Sequence, residues 1–467
     1  MTAEDLEQRT PQGVPRERQQ RTHQVNAVLT IGRRERVRRA LRSGPLASFS
    51  FRLYCIGQLT STVGDYCYVV ALPWLVLSNH GSPVLLGTVL ACYGGARVLL
   101  VPVGGVLADR IGPRRVMLGA DVVRCALVAV LVVLAVGHIT ALAALGPVAA
   151  AVGAGQGLFL PAAYTMMPTL VKPEQLGAAN GISGGIIQIG SILGPVLGAS
   201  LVVAGGPAPA FAVDAATFAV SALTLMLIRG PAPSVAAGAA EAPSAQAPAA
   251  ETAVPASAPV TAGQGAAENS TAIGMAELFR SRAFQLLLLM LIMSNLTWGG
   301  VEEVALPSLA HQSFGASGYG ALLAAICAGI MVGTFAAAVV KPRRPMVLVL
   351  VVFLANGASC AALPYLGGLV GASAAALVLG VCNGLATVLA LTVIQRWAPP
   401  KLLGTVMSVV FVAALGVFPI SSALTGILVR HLGPAIFFPI AGLTLACTLV
   451  IGFASRQVRE LGAEVGQ

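Results

Sequence analysis

The sequence predicts an all-α membrane protein of twelve transmembrane helices, arranged as two pseudo-symmetric six-helix bundles. Three observations predict it. Apolar residues make up 56% of the 467 positions and charged residues only 10%, with a mean hydropathy of +0.84, too little charge to solvate a water-soluble chain of that length. The apolar residues fall in runs of the roughly 20 residues that a helix needs to cross about 30 Å of hydrocarbon. The two halves of the chain also repeat one another.

Residues 1–47 carry ten Arg and few large apolar side chains, so a disordered, basic cytoplasmic tail is expected. Within it, Val37, Arg38, Arg39, Ala40, Leu41 and Arg42 read either as a short basic helix on anionic lipid or as a solvated stretch that sets topology. The first apolar run begins only near Phe51, so no cleavable signal peptide is expected. Predicted spans are 53–77, 84–107, 116–136, 141–165, 179–203 and 209–228, forming an N-terminal bundle over 48–228. Residues 229–277, rich in Ala, Pro, Ser and Gln, read as a flexible cytoplasmic linker. The spans 283–306, 318–340, 345–366, 370–395, 405–429 and 434–454 then form a second bundle over 278–455, and 456–467 is a short cytoplasmic tail. The many Gly and Pro suit membrane helices, where neighbouring helices satisfy freed backbone groups.

Lys and Arg set the orientation. Alternate loops carry Arg110, Arg114 and Arg115; Lys172; Arg229, Arg280 and Arg282; Lys341, Arg343 and Arg344; and Lys401, with Arg456 and Arg459 in the last tail. The opposite loops carry only Arg430. Both termini and the linker are therefore expected in the cytoplasm of a cell whose plasma or inner membrane holds the protein.

The repeat is collinear. Val70, Ala71, Leu72, Pro73 recurs as Val304, Ala305, Leu306, Pro307; Pro113, Arg114, Arg115 as Pro342, Arg343, Arg344; and Pro173, Glu174, Gln175, Leu176, Gly177 as Pro400, Lys401, Leu402, Leu403, Gly404. Three matches in order argue for a duplicated unit, and parallel repeats around a midplane site are what alternating access uses.

Other classes find little support. The net charge of +10 sits in loops and one tail, as topology requires, so no nucleic-acid partner is expected. All eight Cys (Cys55, Cys67, Cys92, Cys125, Cys327, Cys360, Cys382, Cys447) fall in apolar spans and read as small core residues. His23 lies in the tail, and His80, His138, His311 and His431 are placed in loops, so no metal site is expected. Without a phosphate-binding loop or a nucleophile–base arrangement, neither an enzyme nor a cofactor is expected.

After the second span the chain reads Gly105, Val106, Leu107, Ala108, Asp109, Arg110, Ile111, Gly112, Pro113, Arg114, Arg115. This resembles the signature that the major facilitator superfamily carries between its second and third helices. A carboxylate at a helix end facing cations can act as a latch, and the resemblance implies that the latch holds the outward-open state. The second-half copy, Val339, Val340, Lys341, Pro342, Arg343, Arg344, lacks the acid. Asp121 and Arg124, at i and i+3 on the third span, either extend the latch or neutralise each other near the interface.

Gly181, Gly190, Gly194, Pro195 and Gly198 on the fifth span resemble the antiporter motif of the family's exporters, with Ala199 in place of its last Gly. Small residues allow close helix approach and Pro bends a helix; the resemblance implies a seal against leak and a link with efflux. Gln58, Ser61, Gly64 and Asp65 before Ala71, Leu72, Pro73 resemble the enterobactin-exporter and macrolide-efflux branch. So do Leu176, Gly177, Ala178, Ala179, Asn180, and also Gln395 with Leu403, Gly404, Thr405, Val406, Met407, Ser408. One departure stands out: the Arg of many proton-driven exporters on helix four would fall at Gly153, ahead of Gln156 and Gly157.

Ionisable residues inside a bilayer are costly and often functional. Asp65, Glu302 and Glu303 are the candidates for proton or cationic-substrate sites, with Arg97 a counter-ion or an anion-binding group and Asp214 interfacial. The expected function is export of a small lipophilic compound (a drug, antibiotic or siderophore-like metabolite) by proton antiport. The alternatives are proton-coupled import or a non-transporting scaffold or receptor. The expected partners are the small-molecule substrate, protons and the lipid bilayer, and the expected state is a monomer.

Overall fold

The structure, a computed structural model, describes residues 44–79, 81–228, 281–340, 342–398 and 402–459. The tail over 1–43, His80, residues 229–280 with the linker and Arg280, Lys341, Pro399, Pro400, Lys401 and the end of the last tail lie outside the described residues. The first half comprises α1 (Phe49–Ser78), α2 (Pro83–Ile111), α3 (Pro113–Val136), α4 (Leu142–Leu170), α5 (Leu176–Gly205) and α6 (Pro207–Leu227). In the second half α7 (Arg282–Gly300) runs through a π-helical turn (Val301–Ala305) into α8 (Leu306–Ser313), making one seventh span. Then follow α9 (Gly315–Val339), α10 (Pro345–Ala362), α11 (Gly368–Trp397), the two-part eleventh span α12 (Leu403–Gly416) and α13 (Phe418–Leu432), α14 (Pro434–Ala454) and the short α15 (Arg456–Arg459).

Local chemistry starts these helices where they start. Ser48, Ser82 and Ser281 accept the amides of Phe51, Leu85 and Phe284 at 3.2–3.3 Å, satisfying donors that a helix start leaves open. Pro opens α2, α3, α6, α10 and α14, where its missing N–H costs nothing and its φ is already helical. Among the described residues, eleven spans are long and apolar enough to cross a membrane by length and composition. The remaining one, α1, has 30 residues but carries Arg52, Gln58 and Asp65 among its apolar groups.

Three details differ from the sequence reading. The presumed loop after the second span is helical through Ile111, so Asp109 and Arg110 lie in the last turn of α2. The turn itself is essentially Gly112, at φ +90°, a conformation open to Gly at little cost. His311 and His431 are not in loops: His431 lies in the last turn of α13, and His311 lies in α8 with its ring 4.9 Å from that of Trp74. Finally, Glu302 and Glu303 sit in a π-helical turn, which periodicity cannot reveal and which often marks functional sites.

The halves meet along two seams, α2 against α13 and α5 against α9. Their apolar cores merge at one end only. One continuous cluster there holds Leu72, Leu75, Leu86, Val202, Phe211, Leu306, Tyr319, Leu322, Val429 and Phe438, drawn from both halves. At the other end, which carries the basic turns, the cores separate. Phe51, Met117, Phe159, Met166 and Leu225 cluster within the first half. Met346, Leu350 and Val393 form one cluster, and Phe284, Val406 and Met407 another, within the second. The α2–α13 seam is so tight at the joined end that a Cβ on Gly426 would lie 2.6 Å from the Pro83 carbonyl oxygen and 3.1 Å from Val84 Cα. The molecule is thus closed at the end away from the basic turns and open at the end that bears them.

Candidate functional site

The middle of the first half holds a buried charge cluster. Asp121 and Arg124 share a face of α3 and pair at 2.6 Å, with exposures of 0% and 1%. Arg124 lies 3.6 Å from Asp65 of α1 and donates to the Gln156 amide oxygen of α4. Its guanidinium stacks between Phe159 of α4 and Phe218 of α6, 4.7 and 4.1 Å from the ring centroids, a setting that suits a planar, weakly hydrated cation. The second Asp121 oxygen accepts the Ser221 hydroxyl of α6 at 2.6 Å. Asp121 and Arg124 therefore belong to the bundle interior with Asp65 and not to the helix-end cluster with which the sequence grouped them. Asp65 is the accessible member, its side chain 37% exposed.

The departure at Gly153 has a steric cause. A Cβ there would run into the main chain of Tyr93 in α2, its carbonyl carbon 2.8 Å away, so no arginine can stand at that position. Two residues on, Gly155 faces the Arg124 stem, with a Cβ to Cγ distance of 2.7 Å. The cation beside Gln156 comes from α3 instead of α4.

Asp214, read as interfacial, is buried at 1% exposure. It lies against Gly64 of α1, and neither carboxyl oxygen has a hydrogen-bond partner among the described residues. Arg97 of α2 feels the charge of Asp65 in its own half and of Glu303 in the other. Glu302 and Glu303 are half-buried in the seventh span. These residues bring both halves to one polar region.

At the open end, Asp109, Arg110 and Arg115 are exposed, and Asp109 forms no ion pair among the described residues. Arg114 is engaged elsewhere, donating to the carbonyls of Leu225 and Met226 at 2.8 and 2.7 Å. It caps the C-terminus of α6, where open carbonyls and the helix dipole favour a cation. Gly105 has open space on its Cβ side.

On α5, Gly190, Gly194 and Gly198 pack against Thr62, Tyr66 and Cys67 of α1, and Pro195 with Ala199 against Gly320 of α9. Gly181, at the open end, is exposed and has open space on its Cβ side. Gln188, which the glycine spacing hid, ties the halves together: its amide donates to the Cys327 carbonyl at 2.8 Å. Asp214, Ser221 and Gln188 were invisible as partners because each is a single polar residue in an apolar run.

The family model for the Major Facilitator Superfamily matches residues 54–417. The chain belongs to the major facilitator superfamily. This family is one of transporters and not of enzymes. Among curated relatives, the multidrug efflux pump Tap of Mycolicibacterium fortuitum is 31% identical over 197 residues, 40% of this chain and 46% of that protein. Tap of Mycobacterium tuberculosis (strain ATCC 25618 / H37Rv) is 28% identical over 190 residues, 38% and 43% of the two chains. The uncharacterized MFS-type transporter YfiS of Bacillus subtilis is 26% identical over 172 residues, 37% and 40%. The chain thus spans less than half the length of these relatives. Two solved structures share the major facilitator fold at a TM-score of 0.65. They are the nucleoside transporter NupG, 12% identical, covering 87% of this chain and 99% of that one, and a POT family transporter in complex with a thioalcohol conjugated peptide, 15% identical, covering 86% and 95%.

Proposed function

We propose that this major facilitator protein exports a small lipophilic organic compound by proton antiport and alternating access. The observation that carries the reading is the one-ended joining of the halves around a polar middle: the cores merge at one end and part at the other. With both termini and the basic turns in the cytoplasm, the open end receives compound from inside the cell. The relatives named as multidrug efflux pumps support export and a drug-like substrate class.

In this reading Asp65, Arg97, Glu302 and Glu303 line the path and handle protons or charged substrate. The small residues of α5, Gly181, Gly190, Gly194, Pro195 and Gly198, let that helix slide against α1 and α9 as the halves rock. Asp109, with Gly105, Arg110, Gly112 and Arg115, forms the latch of the opposite state. Its carboxylate stands free while the cytoplasmic mouth is open, and it takes up cationic partners when that mouth closes.

The test is accumulation of a panel of lipophilic dyes and antibiotics in cells with and without the protein, with and without a protonophore. Lower accumulation that the protonophore abolishes is the expected result. Higher accumulation means import, and no change across the panel would sink transport of this substrate class.

A further inference from the structure

Three acids of the first bundle, Asp65, Asp121 and Asp214, surround one fully buried guanidinium, that of Arg124, while Arg97 stands farther off beside Asp65. Arg124 is committed to Asp121 at 2.6 Å and to Asp65 at 3.6 Å. Asp214 is 1% exposed with both oxygens unpartnered. Thr217, one turn on, donates its hydroxyl proton to the Asp214 main-chain carbonyl at 2.7 Å, and its oxygen lies beside the carboxyl without a formed bond. A bare carboxylate in such a place is strongly disfavoured. The groups that face Asp214 from the neighbouring helices are few. On α1 they are Asp65, Cys67 and Tyr68; on α3 they are Arg124 and Cys125. The third neighbour, α5, carries no titratable residue.

These residues form a column. Asp214, Phe218 and Ser221 share one face of α6 at i, i+4 and i+7, so about 6 Å of helix rise separates the first two levels and about 4.5 Å the next. Arg124 stacks on Phe218 at the middle level and pairs with Asp121, whose other oxygen accepts the Ser221 hydroxyl. Its Nε has no partner among the described residues, and its stem fills the space that the missing side chain of Gly155 leaves.

We propose that Asp214 is the proton-binding group of the first bundle and that Arg124 is its movable counter-ion. This rests on the proton-coupled reading above. In the conformation seen here Arg124 serves Asp121 and Asp65, and Asp214 carries the proton on a carboxyl oxygen. When Arg124 keeps Asp121 through Nη2 and turns its other side from Asp65 to Asp214, it takes over neutralisation there without baring Asp121. The Asp214 O–H bond breaks and the proton passes to a carboxylate oxygen of Asp65, which Arg124 has just left. Asp65, the accessible member, then releases it to water. One proton is taken up and one released, and no other reactant is needed.

The test uses the full-length protein in lipid nanodiscs, spin-labelled at Glu174→Cys and Gln395→Cys across the open end, with pH as the only variable. The expected wild-type result is a distance that shortens as pH rises and Asp214 gives up its proton. Asp214→Asn, a neutral mimic of the protonated acid, should hold the long distance at every pH. Asp214→Glu, which keeps the carboxyl but moves it by one methylene, should shift the pH midpoint by about half a unit or more. A wild type without pH response overturns the proton-coupled reading itself. A responsive wild type with an equally responsive Asp214→Asn overturns the Asp214 assignment alone. If Asp214→Asn fails to insert, an unchanged midpoint in Asp214→Glu overturns the assignment just as well.

Discussion

Arg124 and Asp121, three residues apart on α3, form a 2.6 Å ion pair that is closed off from solvent on every side. Breaking such a pair by removing one partner leaves a buried charge without compensation and costs about 3–5 kcal/mol. Arg124→Gln should therefore lower the thermal stability of the detergent-solubilised protein sharply, and Asp121→Asn should do the same. The double variant removes both charges and should recover much of the loss. A double variant less stable than either single would show that the aromatic stack of Arg124 on Phe159 and Phe218, not the pair, dominates.

Gly153 should tolerate nothing larger. The Tyr93 main chain occupies the place of its missing side chain, and the backbone of a packed helix yields little. Gly153→Ala is expected to cost about 1–3 kcal/mol through overpacking, read as a lower midpoint in thermal unfolding. Gly105→Ala, which faces open space, serves as the control and should leave stability unchanged.

Arg114 offers a way to separate a helix cap from a latch. Its two bonds to the end of α6 are worth about 1 kcal/mol together at this half-buried site. Arg114→Gln should speed hydrogen exchange in the last turn of α6 while leaving spin-label distances across the open mouth unaltered. A change in those distances with no change in exchange would place Arg114 in the latch instead.

The spans were legible because their signals are local: an apolar run of sufficient length, a Ser or Pro at its start, and Gly112 at a turn that demands positive φ. The polar partnerships were not, and the reason lies in the solvent. Lipid is as apolar as a helix interface, so exposed Leu99, Val133 and Val203 look in sequence like buried Leu86, Val128 and Val202. No apolar stripe tells which face of α3 or α6 turns inward. Asp121 and Arg124 were readable as a pair by their spacing, but not as partners of Asp65, Gln156 and Ser221. Asp214 appeared interfacial because it stands near the start of its span, whereas the fold lays α1 over it. The Gly153 departure was visible, but its cause, the Tyr93 backbone, lies 60 residues away in the chain.

The last prediction sets the two ends of the molecule against each other. Asp109 forms no ion pair among the described residues in the conformation open at the basic end, so Asp109→Asn leaves that conformation's energy nearly unchanged. It removes charge-assisted contacts only from the opposite state, where such contacts are worth about 1.5–3 kcal/mol. A near-balanced equilibrium then moves by roughly 10–150-fold toward the state seen here, and transport slows while substrate binding persists. Gly426→Val acts at the other end. Its side chain would press on the Pro83 carbonyl and the Val84 and Gly87 backbones, none of which can rotate away, so the joined end is forced apart and the population moves in the opposite direction. Spin labels at Glu174→Cys and Gln395→Cys should report a longer mean distance for Asp109→Asn, a shorter one for Gly426→Val, and an intermediate one for the double variant. If both single variants move the distance the same way, the two ends are not reciprocal gates of one rocking motion. If Asp109→Asn alters neither distance nor transport rate, its cluster is a topology signal and not a latch.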